Sequence, residues 1–64
     1  MKNTIKIIDK MIASQAKLAE GLNRVGNRHL KEKKEKHAEI AFNQVEQKEA
    51  VIEALEYLKD KLVK

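Results

Sequence analysis

Five acidic residues, Glu32, Glu39, Glu46, Glu53 and Asp60, recur at a strict spacing of seven, and Glu35, Glu49 and Glu56 form a second column beside them. Residues seven apart project from one side of an α-helix, so the second half of the chain reads as a long helix with an acidic stripe. The first half has the opposite sign. It carries Lys2, Lys6, Lys10, Lys17, Arg24 and Arg28 against Asp9 and Glu20, whereas residues 29–64 hold eight lysines and eight acids. The whole formal charge of +4 therefore belongs to the first 28 residues. Two helices with surfaces of different sign are expected.

A chain of 64 residues forms at most one domain. A single core of that size supplies no more than about 3–5 kcal/mol, and small natural domains add disulfides, a metal or a partner subunit. There is no Cys, so disulfides and thiolate metal sites are excluded and self-association is the remaining remedy. No Pro, two Gly and a preponderance of Lys, Glu, Ala, Leu and Ile match long helices or coiled coils. No uncharged run, Met11 to Ala16 included, is long enough to cross a bilayer. Lys6, Asp9 and Lys10 interrupt the N-terminal isoleucines, so no signal-peptide core is read there and a cytoplasmic setting is expected.

Apolar residues place helix 1 at about residues 4–25, with Asn3 or Thr4 as its cap. The columns Met11-Leu18-Val25, Ile8-Gln15-Leu22 and Ile5-Ile12-Ala19 are angular neighbours and read as one wide buried face. Opposite them lies the column Asn3, Lys10, Lys17, Arg24. Gly21 reads as an interior glycine, because the apolar period continues past it. Gly26-Asn27 reads as the turn, the glycine supplying a positive φ and the asparagine capping helix 2 at about residues 28–63. The run Lys31 to Lys36 contains nothing apolar and reads as a solvated stretch of helix, with a frayed hinge as the alternative.

These bounds make helix 1 about 33 Å long and helix 2 about 55 Å, at ~1.5 Å per residue. Helix 2 then overhangs helix 1 from about Ala50 onward. The overhang carries Val51, Ile52, Leu55, Leu58 and Leu62, and leaving such side chains in water forgoes ~1.5–3 kcal/mol each. Another chain is expected to cover them, either a second copy or a different protein. Ile40 and Phe42 widen the apolar surface at one level of helix 2 and read as further contact residues.

Chemistry-bearing motifs are missing. His29 and His37 have neither the cysteines nor the His-Glu-x-x-His spacing of a zinc site. Ser14 and Thr4 have no histidine at a useful spacing, and the paired glutamates lie on an open helix surface, not in a cleft that would raise a pKa. No glycine-rich phosphate loop occurs. The expectation is a non-enzyme without cofactor or metal, and without membrane binding. It is an all-α chain: a helical hairpin, short helix 1 on long helix 2, assembling into a dimeric bundle or coiled coil. Its expected function is that of a small regulator or inhibitor docking helical surfaces onto a partner protein. The alternative is a dimeric nucleic-acid binder using the basic face Lys6, Lys10, Lys17 and Arg24.

Overall fold

The computed structural model describes residues 2–63, and every described element is helical: α1 (Lys2–Lys31) and α2 (Glu35–Val63). The two helices pack side by side in a rod of 47 × 14 × 10 Å. Contacts between Asp9 and Lys59, Gly26 and Phe42, and His29 and His37 fix the antiparallel sense. The expected all-helical hairpin is thus observed, but its proportions differ from those expected.

Helix 1 does not stop at residue 25, and Gly26-Asn27 is not the turn. Both residues lie inside α1, where Gly26 is buried and its φ is negative. The connection is Glu32 to Lys34, within the run that reads as solvated helix or hinge. At 30 and 29 residues the helices are nearly equal in length, so the description of a short first and a long second helix is corrected, and no overhang remains. The physical reason lies in the apolar pattern. Residues 31–36 offer nothing to bury on either helix, whereas the buried spacing on α1 runs on through Gly26 and His29.

The turn is a left-handed C-cap. Lys33 has φ 62°; its N–H donates to the Leu30 carbonyl at 3.0 Å and the Lys34 N–H donates to the His29 carbonyl at 2.8 Å. This paired arrangement satisfies carbonyls that the end of α1 would otherwise leave open. Glycine ordinarily takes that conformation, so a lysine there bears steric strain. Lys34 then serves as N-cap of α2, its carbonyl accepting from the Ala38 N–H at 3.0 Å. A lysine side chain has no acceptor for the free amides of the first turn.

Between the helices the sequence alternates steps of three and four on both sides. Ile5, Ile8, Ile12, Gln15, Ala19, Leu22, Gly26 and His29 of α1 face Leu62, Lys59, Leu55, Ile52, Lys48, Val45, Ala41 and Ala38 of α2, in that order. With Gly21, Val25 and Phe42, which are half-buried beside the seam, these are the described residues that the fold buries or half-buries. Small side chains concentrate towards the turn, where Ala38 and Ala41 are 1% and 5% exposed and allow the close approach that Gly26 requires. Larger residues fill the open end. Strict three-four spacing is the pattern of a coiled-coil seam, in which each side chain inserts between those of the facing helix.

Candidate protein-interaction face

A hairpin of two helices has two broad sides, and here they differ. On one side the Phe42 ring lies over Gly26, and the Lys59 Nζ reaches the Asp9 carboxylate at 2.7 Å. On the other the His29 and His37 rings meet with centroids 5.4 Å apart. On α1 the positions next to His29, away from the seam, are Val25, Leu18 and Met11, then Ile7. On α2 those next to His37 are Gln44, Val51 and Leu58, then Ile40 and Ala54. Because His29 and His37 touch, these two stripes share one side of the hairpin. Ile7, Met11, Leu18, Ile40, Val51 and Leu58 are between 43% and 59% exposed, and together they make the centre of that side apolar, with Ser14 and Arg28 of α1 and Gln47 and Lys61 of α2 in its outer columns. Isolated exposed leucines are ordinary, but a contiguous apolar face on one side is the mark of an interaction surface.

The expected contact residues divide accordingly. Val51, Leu58 and Ile40 belong to the open face. Ile52, Leu55 and Leu62 are half-buried and turn towards α1, because the equal helices give them intramolecular neighbours. Phe42 packs on Gly26. Sequence reasoning missed the contribution of α1, where Met11 and Leu18 were placed on the buried face. The signal was present: Ile7, Met11, Leu18 and Val25 recur at steps of four and seven, each one residue before Ile8, Ile12, Ala19 and Gly26. Two such stripes make a face too wide for one neighbouring helix.

Charge frames this face asymmetrically. α1 carries seven Lys or Arg and two acids, while α2 carries four lysines and seven acids. Lys10, Lys17 and Arg24 stand exposed in one column beside the apolar stripe of α1, with Lys6 off that column. The acidic column Glu39, Glu46, Glu53 and Asp60 is exposed on the far side of α2. Lys59, although placed at the seam, sends its ammonium out to Asp9, whose hydrogen bond and charge raise the lysine pKa above 10.5 while partial desolvation opposes the rise. The His29 Nδ1 is buried without a hydrogen-bond partner. The Glu32 carboxylate stands 3.9 Å away, within range of a charge but beyond a hydrogen bond.

Among the described residues no cavity opens, no three metal-ligating side chains gather, and no helix is long and apolar enough to cross a membrane. No known protein family matches the chain, and neither a curated protein nor a solved structure matches it.

Proposed function

We propose that this chain is a non-enzymatic protein–protein interaction module, a small regulator or inhibitor that works by docking a helical surface onto another polypeptide. The observation that carries the reading is the open apolar face, to which both helices contribute exposed large side chains, Met11 and Leu18 from α1 and Val51 and Leu58 from α2. Fully burying such a side chain contributes ~1.5–3 kcal/mol; these are already about half covered, so each adds roughly half of that where a partner covers the face. The experiment is capture from the source cell by the tagged chain and by its Met11→Asp/Leu18→Asp variant. Partners held by the first and lost by the second support the reading; equal capture by both counts against it.

A second reading, a basic-face nucleic-acid binder, is favoured by one observation: Lys10, Lys17 and Arg24 are exposed in a single column of a strongly basic helix. Phosphate contacts of this kind give affinity that falls steeply with salt. The acidic column on α2 opposes them. Gel shifts with generic DNA and RNA in rising salt discriminate: binding abolished by ~0.2 M salt is non-specific contact, while tight, sequence-selective binding at that salt replaces the first reading with the second.

A further inference from the structure

We propose that the open face is covered by a second copy of this chain, the two hairpins being related by a two-fold axis parallel to their helices. Each α1 then lies over the partner's α2, and both turns sit at the same end of a four-helix bundle. This inference rests on the reading of that face as an interaction surface and names its occupant. A two-fold interface must be self-complementary, because the same patch serves on both sides. Two features of the face meet that condition in this arrangement alone.

The first is the level at which the large side chains stand. In the antiparallel register set by Asp9 with Lys59 and His29 with His37, Met11 lies level with Leu58 and Leu18 with Val51. Small residues fall between them, Ser14 level with Ala54. An axis parallel to the helices keeps each level opposite itself, so Met11 and Leu18 of one copy meet Leu58 and Val51 of the other, and the small residues meet each other. An axis across the helices inverts the order and sets Met11 near the level of Gly21 and Val25.

The second feature is charge. With the axis parallel to the helices, the column Lys10, Lys17 and Arg24 borders the partner's α2. There the outer column is Asn43, Ala50 and the exposed Tyr57; the first two are small and leave room for Arg24 and Lys17 to reach past them to the acidic column, while Lys10 stands level with the tyrosine. With the axis across the helices α1 stacks on α1, and the same cations face their own copies. Like charges across an interface work against association, while opposed columns favour it and set the register. Lys48, half-buried at the inner edge of the face, opposes burial in either arrangement; a single polar group in a helical core commonly sets register at a cost in stability.

The test uses the full chain, which has no Cys and so accepts one spin label at Lys34→Cys, beside the turn. Sedimentation equilibrium from about 1 to 200 µM should show a concentration-dependent dimer. Label distances should be roughly 15–25 Å, the width of a bundle with helices 8–10 Å apart plus tethers. Met11→Asp and Leu18→Asp should each raise the dimer Kd by about 30-fold or more, with helicity retained because both sites are about half exposed in the hairpin. Val63→Asp, exposed but off the face, should leave the Kd unchanged, and Lys48→Leu should tighten it by about tenfold.

A dimer whose labels lie close to the 47 Å length of the hairpin overturns the arrangement. A monomer throughout overturns the occupant as well. If that monomer still captures a protein through Met11 and Leu18, the interaction reading stands without this one; if the face variants change no interaction, both fall. Charge exchange gives an independent check. Lys10→Glu/Lys17→Glu/Arg24→Glu should lose self-association and regain it when mixed with Glu39→Lys/Glu46→Lys/Glu53→Lys, and a mixture that fails to associate counts against the proposed contact of these columns.

Discussion

The Phe42 ring occupies the space that a side chain on residue 26 would need. A Cβ built on Gly26 would stand 2.6 Å from Cε1 and 2.8 Å from Cζ of that ring, well inside contact distance. Gly26 is helical with negative φ, so its lack of a side chain serves packing and not backbone freedom. The glycine lets a bulky ring from α2 close one side of the seam.

This pair makes a prediction with a change of sign. In an exposed helix interior Gly→Ala gains about 1 kcal/mol. Here Gly26→Ala should lose roughly 1–2 kcal/mol, because the ring must be displaced. In a Phe42→Ala background the same substitution should become stabilising. Chemical denaturation of the four proteins measures the cycle; a Gly26→Ala gain that is independent of residue 42 would show the close approach to be unimportant.

The turn predicts two gains. Lys33 at φ 62° pays a steric cost that glycine does not, and Lys33→Gly should stabilise the hairpin by about 0.5–1 kcal/mol after the extra entropy of the unfolded glycine is subtracted. An unchanged or lower denaturation midpoint contradicts the C-cap assignment.

Lys34→Asp should add about 1 kcal/mol, because an N-cap carboxylate accepts from the amides of the first turn of α2 and favours the positive end of the helix dipole. The gain should depend on ionisation: the folded carboxylate titrates below its ordinary pKa of about 3.9, so the gain is full above that value and fades as pH falls through the depressed one. A gain that persisted at lower pH would point to another cause.

Asp9 and Lys59 predict an alkaline effect. The lysine pKa is raised by the Asp9 hydrogen bond and charge. A group whose folded pKa exceeds its unfolded value contributes stability that is fully present below the unfolded value and is lost as pH rises through the folded one. The difference in stability between the wild type and Asp9→Asn should therefore be constant across neutral pH and vanish above 10.5. The pair is solvent-exposed, so the difference is small and should shrink further with salt. A difference that changes near neutral pH would assign it to other groups.

The helical class and the hairpin were legible because periodicity alone specifies them. The Glu39 to Asp60 column has no reading other than a helix, although Glu32, expected as its first member, falls in the turn, and two buried stripes of such length need one fold-back. The turn was not legible, because its evidence was inverted: Gly26 looked like punctuation, while Lys33 and Lys34 carry none of the residues that favour caps. What separated them was the apolar pattern, which offers nothing to bury at residues 31–36, whereas Gly26 is buried under the Phe42 ring, a contact between residues far apart in sequence. The same displacement hid half of the open face. Shortening helix 1 left α2 with a surplus of unpartnered leucines, whereas the true register gives Leu55 and Leu62 neighbours on α1 and leaves Met11 and Leu18 outside.

A connection of three residues between equal helices also gives the fold a direction in time. Closing the layer nearest the turn, where Ala38 lies against the end of α1, requires only a short loop. Every later layer is brought within reach by the one before it, so no step confronts the entropy of a long open chain. By the same entropy argument, the contacts of Ile5 with the level of Leu62, which join the two ends of the sequence, are expected to form last and open first. The local contacts of such a hairpin predict zipper-like closure from the turn, with the most tightly approached layers also those within soonest reach.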